Sequence, residues 1–278
     1  MSEHTLPDLK WRIFRDPARS GVENMATDHA LAVGAWSRQG EHAGGAAADG
    51  EDAPCAALRL YTWSRPTVSF GRNEPTKGIY RADAAAAHGV DIVRRPTGGR
   101  AVLHDSELTY AAIVPARALG GARATYYAIN EALVRAVQSL GAEAILSDTA
   151  GDGTLPLDAG PCFQSPAPGE VVLRGRKLIG SAQARIDGAF LQHGSIMISG
   201  DQMLLATLGP SAEHEQPATL AEQIGPACVD DVAEAVVVAM KKVFGGTWVE
   251  GEYSDEERRM ITELVKTRYG LDEWTWRR

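Results

Sequence analysis

EVVLRGRKLIGSAQARIDGAFLQHGSIMI, residues 170–198, can be paired with itself in one way. It reads as apolar-rich strands broken at Gly175 and at Asp187-Gly188. An Asp-Gly pair between two such runs is a strong signal of a two-residue hairpin turn. Counting back from the turn sets Ile186 opposite Ala189, Ala182 opposite His193 and Gln183 opposite Gln192. Upstream, LTYAAIVP (108–115) is an apolar run typical of a buried strand. ALRLYTW (57–63) and TVSF (67–70), separated by Ser64-Arg65-Pro66, read as two more strands.

Helical signals lie between and beyond these strands. Residues 124–140 repeat apolar groups at Tyr126, Ile129, Leu133, Val137 and Leu140, then stop at Gly141. An Ala-rich stretch, 81–88, ends at Gly89, where a terminal glycine is expected. Residues 24–38 predict a first helix with Asn24 as its N-cap. Further helices are expected near 230–243 and 255–269, the second with Ser254 and Glu257 in capping-box spacing. Strands and helices alternate without a βαβ rhythm. The expected fold is therefore α+β, a mixed β-sheet flanked by helices, with a short C-terminal helical tail. Residues 1–250 form the main domain in this reading and 251–278 the tail. Two segments carry no periodic pattern: a Gly-, Ala- and acid-rich insertion at 39–56 and a Gly/Pro-rich mobile loop at 147–169. A structureless connection as long as the second is more often functional than idle.

The chain has 278 residues, with 28 Lys+Arg against 36 Asp+Glu, a net charge of −8. That acidity argues against nucleic-acid binding, which wants a basic face. No apolar run approaches the roughly 18–20 residues of a membrane span. The N-terminus lacks the basic-then-apolar layout of a signal peptide. Cys55, Cys162 and Cys228 are too few and too scattered for a disulfide framework or a metal site. A soluble, reduced, cytoplasmic protein without a metal is expected.

Three groups of residues could carry chemistry. Cys162, in GPCFQSP on the long loop, is a candidate nucleophile, since a thiolate needs exposure and a nearby positive charge. Lys177, or the Arg94, Arg95 and Arg100 group, would supply that charge; a merely tolerated loop cysteine is the competing reading. Cys55 and Cys228 read as structural or incidental. In RRPTGGRAVLHD (94–105), Gly98 and Gly99 permit close approach of backbone to a ligand, and the flanking arginines favour an anionic or carbonyl ligand. His104 adds a titratable donor. In GRKLIGSAQ (175–183), Lys177 precedes the small residues Gly180, Ser181 and Ala182, which leave room for a substrate; Gln192-His193-Gly194 on the paired strand would line the same cavity.

Together ENMATDHAL (23–31), SFGRNE (69–74), VRRPTGGRAVLHDSELTYAAIVP (93–115), CFQSPAPGEVVLRGRKLIGSAQARIDGAFLQHGSI (162–196) and LDEWTWRR (271–278) resemble the lipoate-protein ligase / octanoyltransferase / biotin-protein ligase superfamily, with LipM-type octanoyltransferases as the nearest likeness. The resemblance implies that superfamily's catalytic-domain fold and transfer of octanoyl from acyl carrier protein to a lysine of an apo lipoyl domain, such as glycine-cleavage H protein or a 2-oxoacid dehydrogenase E2. Cys162 matches the cysteine that takes the acyl group as a thioester, and Lys177 the lysine that holds the thioester carbonyl. Arg95, Thr97, Gly98, Gly99, Arg100 and His104 match the acyl-pocket wall. The resemblance implies no cofactor, metal or nucleotide, and a monomer. An ATP-dependent lipoate-protein ligase and an octanoyl amidotransferase share much of this pattern, though the short tail replaces the ligases' accessory C-terminal domain. Outside catalysis by transfer, an acyl-binding protein or a thioesterase would use the same scaffold. Acyl carrier proteins are acidic, as this chain is, so docking would need a local basic patch; Arg72, Arg94, Arg95 and Arg100 are the candidates.

Overall fold

A computed structural model describes residues 9–40, 55–147, 168–209 and 216–278. In chain order its strands are β1 (Lys10–Arg15), β2 (Cys55–Tyr61), β3 (Thr67–Phe70), β4 (Asp91–Arg94), β5 (Val102–His104), β6 (Glu107–Pro115), β7 (Ala144–Leu146), β8 (Val171–Leu173), β9 (Arg176–Ile186), β10 (Ala189–Met197) and β11 (Thr247–Glu250). The helices are α1 (Gly21–Gly40), α2 (Ala82–Ala87), α3 (Ala122–Ser139), α4 (Met203–Leu208), α5 (Ala221–Ile224), α6 (Val229–Phe244), α7 (Asp255–Leu264) and α8 (Asp272–Thr275).

Eight strands form one mixed sheet in the order β11-β1-β2-β6-β10-β9-β8-β7, and β4-β3-β5 form a second. The β9–β10 hairpin takes the expected register, with Ile186 opposite Ala189, Ala182 opposite His193 and Gln183 opposite Gln192. β6, at the centre of the large sheet, is buried along its whole length, which is why it reads as a continuous apolar run. Its side chains still alternate: Leu108, Tyr110, Ala112 and Val114 pack under α3 and α6, whereas Ala111 and Ile113 face α1. Burying Ile129, Leu133 and Val137 of α3 against the first face contributes roughly 1.5–3 kcal/mol for each side chain. A smaller core, built on Val68, Phe70 and Leu103 with Ala84, Ala85 and Leu205, holds α2 and α4 on the second sheet. The α+β class with a mixed sheet and flanking helices is as expected.

Two local readings are corrected. The first helix begins at Gly21, and Ser20 caps it: the Glu23 amide donates to Ser20 Oγ at 3.3 Å while the Ser20 amide donates to the Glu23 carboxylate at 3.1 Å. Asn24 lies one turn inside and is fully buried; its side chain donates to the carbonyls of Arg19 and Thr62 and accepts from Arg59, so it ties α1 to β2 instead of capping. The insertion expected at 39–56 is narrower, because residues 39–40 continue α1 and Cys55-Ala56 open β2; the rest, 41–54, lies outside the described residues.

α7 (Asp255–Leu264) and the turn that follows it pack on α1. Ser254 and Glu257 form the capping box read from sequence. Buried Glu257 also takes two hydrogen bonds from Arg12, at 2.8 and 3.1 Å, joining α7 to β1. A π-helical turn, Val265–Tyr269, follows α7 and aims the Tyr269 hydroxyl at His29 Nδ1 of α1, 2.9 Å away. No helix among the described residues is long and apolar enough to cross a membrane.

Candidate active site

The hairpin is narrow where its residues are small. Gly180, Ser181 and Ala182 of β9 stand against His193, Gly194 and Ser195 of β10, and a cavity of about 390 Å³ opens beside them. A Cβ on Gly194 would collide with the Gly180 carbonyl, so the strands approach this closely only with glycine there. Met25 of α1, Tyr61, Trp63 and Val102 give the cavity its apolar wall; Ser69, Arg95, His104 and Thr109 complete it.

The RRPTGGR loop is folded around its own arginines. Arg95 donates to the carbonyls of Ser69, Gly98 and Arg100 and to Ser69 Oγ, so it both lines the cavity and ties the loop into a ring. Gly99 has φ +90°, and its carbonyl passes so close to Gly71 that a side chain at 71 would not fit. Thr97 Oγ1 lies 2.7 Å from His193 Nε2. Arg94 faces away from the cavity: fully buried, it donates to the carbonyls of Gly71, Glu74 and Thr275. Three of the four arginines offered as a docking patch, Arg94, Arg95 and Arg100, are therefore buried, and only Arg72 is exposed. Loop carbonyls need donors, and the Arg94 and Arg95 guanidiniums are used to satisfy them.

Two buried polar networks hold the histidines. His193 Nδ1 sits 2.8 Å from Asp28, which also accepts from Arg59 at 2.7 Å and from the Tyr61 hydroxyl at 2.9 Å. Burial pushes the Asp28 carboxyl up, but the Arg59 guanidinium and His193 outweigh it and hold it below the usual carboxylate range. Burial pushes His193 down against the pull of Asp28. His104, stacked on Trp63 with ring centroids 4.0 Å apart, bonds Ser69 through Nε2 and Glu107 through Nδ1, both at 2.7 Å. Thr109 and Ser195 donate to the same Glu107 oxygen.

Gln192 points to the opposite face of the sheet and belongs to a third network. It donates to the Tyr110 hydroxyl and to Asn130 Oδ1, and Ser181 joins both. Asn130 in turn donates to the Gly169 carbonyl at 2.8 Å. Lys177 lies on this side of the hairpin, outside the cavity wall, and is 3% exposed. Its Nζ is 2.7 Å from the equally buried Glu170 carboxylate. A one-residue bulge, in which Val171 pairs with Ile179 and Val172 with Lys177, sets the lysine's orientation.

Cys162 falls among residues 148–167, outside the described residues, as does most of the loop expected at 147–169. The two ends of that segment are tied together: Ser147 donates to the Glu170 carbonyl and Gly169 to the Ser147 carbonyl, each at 2.8 Å. Glu170, Asp28, Glu107 and Asn130 are the polar residues that sequence reading passed over. Asp28 stood inside the quoted ENMATDHAL segment but lacked a partner to give it meaning. Glu170 opens the strand segment read at 170–198 and is linked to Lys177 only across the bulge.

Comparisons with known proteins agree on one family. The profile of the lipoyl protein ligase A/B catalytic domain matches residues 23–243. Octanoyltransferase LipM of Symbiobacterium thermophilum is 35% identical over 98% of this chain and 100% of its own length. Octanoyltransferase LipM of Kyrpidia tusciae is also 35% identical, over 96% and 99%. Among solved structures, lipoate-protein ligase A bound with ATP superposes with a TM-score of 0.77 at 21% identity, covering 96% of this chain and 98% of that one. A bi-partite lipoate protein ligase from Thermoplasma acidophilum, solved in a study that includes its E2 lipoyl domain, gives 0.71 at 20% identity, over 98% and 97%. At such identities these two structures speak for the fold.

Proposed function

This chain belongs to the lipoyl protein ligase A/B catalytic-domain family, and within it we propose an octanoyltransferase of lipoate biosynthesis, an acyltransferase that moves octanoyl from acyl carrier protein to a lysine of an apo lipoyl domain. The observation that carries the reading is the apolar cavity beside Gly180–Ala182 and Gly194, with the Lys177–Glu170 ion pair on the same hairpin. An octanoyl chain would lie against Met25, Tyr61, Trp63 and Val102, with Arg95, Thr97, Gly98, Gly99, Arg100 and His104 shaping its wall, directly or through the loop ring.

Chemistry would proceed in two attacks. The Cys162 thiolate adds to the thioester carbonyl of octanoyl-acyl carrier protein; the carrier's sulfur leaves as thiolate, and octanoyl remains on Cys162 as a thioester. The neutral ε-amine of the acceptor lysine then attacks that carbonyl, Cys162 leaves as thiolate, and the amide nitrogen loses a proton. Each step breaks one activated thioester, so no ATP is consumed. Lys177 Nζ, paired with Glu170, would donate to the carbonyl oxygen as negative charge develops there. Ser147 and Gly169, on either side of the segment that holds Cys162 in the sequence, are themselves fixed beside Glu170. Ser181 and Gln192 would brace the same region. Residues 1–250 would form the catalytic domain and 251–278 its tail, in a cytoplasmic monomer.

The test mixes the protein with octanoyl-acyl carrier protein and an apo lipoyl domain, without ATP, and weighs the intact proteins. Octanoyl on the acceptor is the predicted result. Modification only when ATP and free octanoate are supplied would make the protein a ligase, and free octanoate without an amide would make it a thioesterase.

A further inference from the structure

On a chain of net charge −8, five cations gather on one face around the C-terminal segment. Arg268 and Arg277 lie over the Trp274 ring, with guanidinium-to-centroid distances of 4.9 and 4.1 Å. Arg277 also donates to the Arg72 carbonyl, while the Arg278 carbonyl accepts from the Lys77 amide at 2.9 Å. Arg72, Lys77, Arg268, Arg277 and Arg278 thus converge. Among the described residues none of them forms an ion pair, and Asp272 and Glu273, exposed on α8, pair with none of them. Arg277 Nε is buried without an acceptor. Burial first, then the neighbouring Arg278, Arg72 and Arg268, push the Arg277 guanidinium down.

The cluster borders the candidate site. The Arg72 amide donates to the Thr97 carbonyl at 2.7 Å, and Thr97 bonds His193 of the cavity wall. We propose that this arginine-rich face is the docking surface for the acidic protein that delivers the acyl thioester. The inference rests on the transferase reading. Charge points to the donor: a carrier whose arm is attached through a phosphodiester brings negative charge along the approach, complementary to these guanidiniums. Complementary charge at this face would raise the encounter rate although both proteins are acidic overall.

The test uses the full chain with Arg72→Glu, Lys77→Glu and Arg278→Glu combined, three exposed side chains with no described hydrogen bond. Affinity for fluorescently labelled octanoyl-acyl carrier protein is read by anisotropy. Initial rates are measured with that carrier and with octanoyl-pantetheine, a donor that has no protein surface. Binding and kcat/KM with the carrier should fall about tenfold or more, through binding and KM, while rates with octanoyl-pantetheine stay within about twofold. Wild-type affinity for the carrier should weaken as ionic strength rises, a readout independent of whether the variant folds. Unchanged carrier binding, salt-independent wild-type binding, equal losses with both donors, or a loss confined to the acceptor half-reaction would each overturn the proposal. If wild type transferred no octanoyl yet bound the carrier through these arginines, the docking surface would stand and the transferase reading would fall.

Discussion

Lys177 is placed in a setting that an ordinary strand lysine does not have. Removing it from water is tolerable only because Glu170 sits 2.7 Å away, and the bulge at Leu178 turns it to meet that carboxylate. If Lys177 supplies the hydrogen bond to the thioester oxygen, Lys177→Met should slow acyl-enzyme formation by about 10²–10³-fold, the usual loss of one oxyanion donor. Rapid-quench measurement of octanoyl on the protein reads this step alone, and an unchanged rate would leave Lys177 with a purely structural ion pair. Cys162→Ser should abolish turnover while changing the melting temperature little, because serine is close to cysteine in size and shape. Residual transfer at wild-type rate would remove Cys162 from the chemistry.

At the scale of elements, the helices that clasp α1 make two measurable contributions. Ser254→Ala removes the α7 capping box and should lower stability by about 1 kcal/mol in a denaturant titration. His29, where α1 meets Tyr269, is pushed down to about 4, first by burial and then by the Arg268 guanidinium. Between its ordinary value of 6.5 and about 4, the unfolded chain binds a proton that the native state refuses, so stability falls as pH drops through that window. His193, also pushed down by burial, acts in the same direction. His29→Gln keeps an acceptor for Tyr269 without the titration and should flatten the acid limb of a melting curve; an equally steep limb would assign it to other groups.

Across the whole molecule, what could be read from sequence was local. Asp187-Gly188 specifies its turn through backbone chemistry alone, so the hairpin and its register followed, and with them the opposition of Ala182 and His193. Ser254 and Glu257 are likewise three residues apart and carry their own meaning. Asn24 misled because its residue type fits a cap, whereas its role depends on Arg59, 35 residues away, and on a sheet not visible from the helix. Arg94, Arg95 and Arg100 looked like a basic patch for the same reason: sequence shows three charges, but only the folded loop shows that all three are buried and that carbonyls take up the first two. The cavity was legible as a run of small residues, Gly180-Ser181-Ala182; its apolar wall of Met25, Tyr61 and Trp63 comes from distant elements that close only in three dimensions. Glu170 and Glu107 needed the same tertiary view.

The central claim is a thioester on Cys162 formed without nucleotide. Incubating the protein with octanoyl-acyl carrier protein alone, then weighing it intact and as peptides before and after hydroxylamine, tests that claim directly. The account predicts one octanoyl group on the peptide containing Cys162, removed by hydroxylamine. An unmodified protein, or octanoyl on Cys55 or Cys228 instead, would contradict it.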